Sequence, residues 1–146
     1  MEALHNKVDI ILRTTIADQG ETEINELKHT GCFYRNNTFD VLKFDEELEE
    51  GVSVRNLITL QKKKATIKRS GAVSMNQKFQ ENKITENVYH HPHGTMHMET
   101  FTESIRYQLL DDADEGRLKI IYQVKLNGQA NRKHELTLIF KEESSQ

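Results

Sequence analysis

The chain has one cysteine, one proline and no tryptophan in 146 residues, and it nowhere stays apolar for long. Cys32, being alone, can neither close an intramolecular disulfide nor build a cysteine-rich zinc site. A buried strand thiol is the plain reading; a reactive thiol would need a depressed pKa, and the sequence supplies no cause for one. The segment from Met1 to Leu12 is interrupted by Glu2, His5, Lys7 and Asp9. It therefore lacks the uninterrupted apolar stretch of a secretory leader. No run approaches the roughly 18 apolar residues of a membrane helix, so the expected location is the cytoplasm. Charge of one sign is also missing. The formal net charge of −3 gives no overall pull toward nucleic acid or an anionic membrane, so neither is expected as a partner.

What is present is a period of two. Val8, Ile10, Leu12, Thr14 and Ile16 share a face, as do Val52, Val54, Asn56, Ile58 and Leu60. The alternation returns at Ala65, Ile67, Arg69, Gly71, Val73 and Met75, and again through Leu118, Ile120, Tyr122, Val124 and Leu126. Leu136, Leu138 and Phe140 complete it. Such alternation marks half-buried strands. Turn residues separate the runs: Asn127-Gly128 most strongly, then Gln19-Gly20, Asn36-Asn37, Glu50-Gly51, His91-Pro92-His93-Gly94 and Asp114-Glu115-Gly116. The lone proline falls in a turn, outside every strand. The predicted strands are 7–18, 21–35, 38–46, 52–62, 64–75, 83–90, 95–110, 116–126 and 133–141. The acidic run Asp45–Glu50 reads as a solvated loop. Long strands with short joins in one all-β domain of this length favour a single antiparallel up-and-down barrel of eight to ten strands, spanning residues 1–146.

The segment RSGAVSMNQKF (Arg69 to Phe79), with HTGCFY (His29 to Tyr34) before it and METFTESI (Met98 to Ile105) after it, resembles the YwiB-like family of bacterial proteins. The likeness covers nearly the whole chain in order and spacing. It implies a calycin-type, lipocalin-like barrel in a bacterial cytosol. It implies no activity, because that family supplies no catalytic residues. The chain departs from true lipocalins in lacking a Gly-x-Trp element. It departs from fatty-acid-binding proteins in having only the turn Asp18-Gln19-Gly20-Glu21 where those carry a helical lid.

No local motif carries chemistry. Ser70 has no nucleophile-elbow context, Ser74 and Ser104 have no evident base, and no cofactor-binding motif is present, so the chain reads as a binder rather than an enzyme. His90, His91, His93 and His97 are close in sequence with Glu99 nearby, but the loop and strand phase send them apart, and no metal is expected. Lys62-Lys63-Lys64 lies at a hairpin tip without interleaved aromatics, as solubilising lysines do. Arg69 stands out, because strand phase turns it inward. A guanidinium inside a barrel needs a counter-charge, and Glu46, in phase with Leu42 and Phe44, is the internal candidate; a bound anion is the other. The expected barrel lining is Arg69, Glu46, Tyr34, Asn56, Met75, Phe79, Met96, Met98, Thr100, Thr102 and Tyr122, the face of Met96 continuing through Ser104. A methionine wall with a polar end suits a small apolar or amphipathic ligand, anionic if Arg69 is free to bind it. The alternative is an interaction or homodimerising module with a filled interior, acting through outward Ile11, Leu57, Ile121 and Ile139.

Overall fold

The computed structural model describes residues 4–35, 38–48, 51–110 and 115–142, with side chains from Asn6 onward. Among them are ten strands and no α-helix: β1 Leu4–Asp18, β2 Glu21–Arg35, β3 Asp40–Glu47, β4 Ser53–Leu60, β5 Lys64–Gly71, β6 Met75–Gln80, β7 Ile84–His91, β8 Gly94–Leu110, β9 Glu115–Leu126 and β10 Arg132–Glu142. They form one antiparallel sheet in the order β6-β5-β4-β3-β2-β1-β10-β9-β8-β7. Each strand but one follows its chain neighbour. The ladder from Val8↔Glu142 to Ala17↔Lys133 joins the first strand to the last and rolls the sheet into a barrel.

The closure is incomplete at a seam between β6 and β7. Ser74 and His90 exchange two backbone hydrogen bonds at one end of it, N to O at 2.9 and 2.8 Å. At the other end the β6–β7 turn docks on β8, the Asn82 N–H donating to the Thr102 carbonyl at 2.8 Å. Between these stitches there is no backbone ladder; the Thr85 hydroxyl donates to the Lys78 carbonyl and, inside, Gln77 Nε2 donates to Thr100 Oγ1 at 3.0 Å.

The expected run 64–75 is in fact broken in two. Gly71 has φ of +112°, and a Cβ there would lie 2.8 Å from the Ser53 carbonyl oxygen. Only glycine takes that backbone comfortably, and the chain turns there to give β6 as a separate strand. Within the acidic run, Asp45, Glu46 and Glu47 end β3 rather than forming a loop; Glu49 and Glu50, like the Asn36-Asn37 turn and Asp114, lie outside the described residues.

The inward faces make one continuous core that includes Ile10, Phe33, Leu42, Ile58, Phe79, Leu118, Ile120, Leu138 and Phe140. Each such side chain, fully buried, contributes about 2 kcal/mol by the area rule. Toward the end of the barrel bearing the turns Gln61–Lys63 and Glu81–Lys83 the interior is closed by aromatic side chains, although the turns themselves border an open cleft of about 600 Å³. Phe33 and Phe140 are 4.6 Å apart between ring centroids, and Phe140 lies so close on Gly116 that a Cβ there would be 2.1 Å from its ring. Nearby the Tyr107 hydroxyl donates to Asp40 Oδ2 at 2.7 Å, tying β8 to β3. Burial, and then that hydrogen bond, push the Tyr107 phenol well above its ordinary pKa.

Two phase assignments change. The β1–β2 ladder is unbroken through fifteen pairs, so Gly31 and Phe33 point inward and Cys32 and Tyr34 outward. Cys32 is therefore only half-buried, beside Lys43 in register, and Tyr34 holds the Lys43 ammonium 5.2 Å from its ring centroid on the outer wall. On β8 a bulge between Thr102 and Ser104 reverses the alternation, and Ile105, not Ser104, is the next buried residue. Glu81 Oε2 accepts the Ile105 N–H at 2.9 Å beside that irregularity.

Candidate binding site at the hairpin end of the barrel

The opposite end of the barrel, ringed by the turns at Gln19-Gly20, Pro92-His93 and Asn127-Gly128, has a different chemistry. Register puts Phe44, Asn56, Arg69 and Met75 in one row across β3 to β6, with Glu46 one inward position further along β3. Arg69 Nη2 meets Glu46 Oε1 at 2.9 Å. Asn56 Nδ2 donates to the same oxygen at 3.3 Å, and Arg69 Nη1 reaches across the seam to the Tyr89 hydroxyl at 3.5 Å. The Arg69 and Glu46 side chains are 21% and 20% exposed. They are thus desolvated enough to need each other, yet open to solvent on one side.

Around this network the inner wall is part polar and part soft. Met75 and Met98 are buried, and Met96, Tyr89, Leu12 and Leu126 partly so. Asn87 Nδ2 approaches Met98 Sδ at 3.6 Å. Thr100 and Thr102 are fully buried, and Thr102 Oγ1 has no hydrogen-bond partner among the described residues. Phe79 and Tyr122 lie deeper and pack edge to face at 4.8 Å, so they fill the interior rather than line an opening. Tyr122 stacks on His134 at 5.1 Å. Burial lifts the Tyr122 phenol above its usual range, and desolvation, with Arg132 adding repulsion, lowers the His134 imidazole.

Arg69, Glu46 and Asn56 are therefore in direct contact, Met75, Met96, Met98, Thr100 and Thr102 share the inner wall, and Tyr34 is excluded from it. Sequence reasoning missed Tyr89, Asn87 and Gln77. For Tyr89 and Asn87 the reason is β7, which turns Thr85, Asn87 and Tyr89 inward while Ile84 and Val88 face solvent; Gln77 is on β6, in the inward phase of Met75 and Phe79. Apolar alternation alone reads that strand inside out. An available signal was the tyrosine in the polar phase, since a tyrosine buries its ring while presenting a hydroxyl.

The histidines do not converge. His90, His91, His93 and His97 are all exposed; His97 Nε2 sits 3.4 Å from Glu86, and no group of three metal-ligating side chains comes together among the described residues. Of the outward apolar residues, Ile11 and Ile139 are neighbours in register, Ile121 lies on β9 next to β10, and Leu57 lies on β4, three strands from β1. No helix of the described chain is long and apolar enough to cross a membrane.

A protein-family model described as a domain of unknown function, DUF1934, matches residues 10–138. The uncharacterised β-barrel protein YwiB of Bacillus subtilis (strain 168) is 28% identical over 133 residues, 91% of this chain and 92% of that one. The crystal structure of the ywiB protein from Bacillus subtilis superimposes with a TM-score of 0.84 at 26% identity, covering 96% of this chain and 94% of the other.

Proposed function

The chain belongs to the DUF1934 family, and from that premise we propose that it is a calycin-type binding protein of the bacterial cytoplasm that takes a small amphipathic molecule into the hairpin end of its barrel. One observation carries this reading: a Glu46–Arg69 pair about one-fifth exposed, with Asn56 and Tyr89 bonded to it, borders a methionine-rich wall at the hairpin end. A barrel that only needed a core would gain by placing apolar groups there, since replacing a buried ion pair with hydrophobes is often neutral or stabilising. Methionines give an adaptable apolar surface for a ligand of imperfect fit.

The pairing sharpens the ligand's chemistry. Arg69 has its charge balanced by Glu46, so the site offers a donor and an acceptor side by side and no net charge. A neutral head group with both functions, such as an amide, exchanges hydrogen bonds with that pair at little electrostatic cost. A free carboxylate would have to displace Glu46 or sit beside it. Because the interior below is filled by Phe79, Tyr122 and their neighbours, the ligand occupies the mouth and does not thread the barrel.

Native mass spectrometry of untagged, freshly purified protein tests this. The expected result is a co-purified mass that is lost in the Arg69→Met, Glu46→Gln double variant while the fold persists by circular dichroism. Identical retention in wild type and variant would move the ligand elsewhere. Absence of any bound mass, with no saturable uptake of medium-chain amides, would remove the reading.

A further inference from the structure

β2 is fifteen residues long, yet β3 covers only its last five: the β2–β3 ladder runs from Gly31↔Phe44 to Arg35↔Asp40. From Glu21 to His29 the strand is paired on one side only, with β1. Its two-residue loop at Gln19-Gly20 makes Asp18 and Glu21 the closing hydrogen-bonded pair, so odd-numbered residues of β2 bond to β1 and even-numbered ones face away. The backbone N–H and C=O groups of Thr22, Ile24, Glu26 and Lys28 consequently point away from β1 with no strand paired to them among the described residues, whereas Thr30 already adjoins the first rung of the β3 ladder at Gly31↔Phe44.

Long bare edges are normally blunted by proline, bulges, lysine or a covering loop. This edge has no proline, its ladder with β1 is regular, and it carries a single lysine. It also exposes apolar side chains on both faces, Ile24 at 63% and Leu27 at 45%. Where β3 splays away, a cleft of about 670 Å³ opens between Lys28–Thr30 on one bank and Asp45 and Glu47 on the other, floored by Ile10 and Ile11. There is room for backbone to enter.

The charge of this region selects the occupant. Glu21, Glu23 and Glu26 lie on the strand, and Asp9, Asp45 and Glu47 line the cleft. Lys28 is the one lysine or arginine of the unpaired stretch, and the neighbouring Arg13 is already held by Glu26 at 2.6 Å. A second copy would bring the same acidic strand against this one, which like charges across a ladder disfavour. We propose that the free edge of β2 from Thr22 to His29 is a docking site that adds an extended, basic segment of a partner protein to the sheet as an extra strand. Main-chain hydrogen bonds to the four even-numbered residues supply binding, and lysine or arginine against the acidic rim supplies selectivity. The inference rests on sheet topology and is independent of the ligand reading.

The probe is a short synthetic peptide alternating lysine and valine, with a glutamate-for-lysine peptide as control, titrated into the ¹⁵N-labelled full chain. The lysine peptide should shift the amides of Thr22, Ile24, Glu26 and Lys28 and weaken with added salt, and the glutamate peptide should leave them in place. Ile24→Pro removes one outward N–H without touching the ladder to β1 and should weaken binding about tenfold or more. Should that variant fold poorly, Glu23→Lys on the same strand makes the charge test, with weaker binding expected. Shifts confined to other surfaces, or equal binding of both peptides, would overturn the proposal. So would a concentration-dependent dimer in sedimentation that Ile24→Pro abolishes, which would make a second copy the occupant.

Discussion

Arg69→Met removes the cation of the mouth while keeping most of its aliphatic stem. Glu46 then loses its 2.9 Å partner and keeps only the Asn56 contact at 3.3 Å. A fully dry ion pair broken on one side costs roughly 3–5 kcal/mol, and a solvated one roughly 0–1. With both side chains about one-fifth exposed, the pair sits between these limits, and the loss should be about 2 kcal/mol. The 3.5 Å contact to Tyr89 is too long to change that figure. For a domain of this size the melting temperature should fall by about 4–8 °C. Urea unfolding followed by far-ultraviolet circular dichroism is the assay, since there is no tryptophan to report. The cycle with Glu46→Gln should return a coupling of about 1 kcal/mol, the double variant losing less than the sum of the singles. A loss under about 0.5 kcal/mol with no coupling would mean that the pair is solvated and that the mouth has no desolvated polar anchor.

Other substitutions probe the rest of the barrel. His134 is held neutral by burial, its pKa lying below the ordinary 6.5, so its contribution is present above that pH and is lost as pH falls toward the folded value. His134→Gln should flatten part of the fall in urea midpoint between neutral and mildly acidic buffer; an unchanged pH dependence would refute this. Tyr107→Phe strands the buried Asp40 carboxylate and should cost about 1–2 kcal/mol, measured by the same unfolding. Absorbance titration should find the Tyr107 and Tyr122 phenols un-ionised until the chain unfolds in alkali. Gly116→Ala drives a methyl group into the Phe140 ring and should cost about 2–3 kcal/mol, and a neutral effect would mean that end of the barrel is loose.

Much of the architecture was legible because strands such as β4 (Ser53–Leu60) and β9 (Glu115–Leu126) are wet on one face, and period two survives there without ambiguity. The Arg69–Glu46 contact followed from the same phase, since both residues continue apolar alternations that a lone buried charge could not occupy. What stayed hidden was local. Phe33 and Tyr34 are both aromatic, and nothing in their identities says which faces the core. The close fit at Gly31, where Phe44 Cβ and Ile10 Cδ1 would lie 2.9 and 3.0 Å from an added Cβ, fixes the phase from outside the strand. The β8 bulge is set by contacts with the β6–β7 turn through Glu81, a relation between distant residues that no run of β8 encodes. The inverted β7 follows from the seam. A strand without a full ladder on one side turns polar groups inward, Tyr89 toward Arg69 and Asn87 toward Met98, and there hydrophobic periodicity is the wrong guide.

The binding account turns on where a ligand goes. Titrating decanamide into ¹⁵N-labelled protein and following amide and arginine side-chain resonances reads that location directly. The account predicts saturable shifts at Arg69, Asn56, Tyr89, Met96 and Met98, with smaller ones for decanoate and none along Thr22–Thr30. Saturation with shifts only on the outer wall, or no shifts at about millimolar ligand, would contradict it.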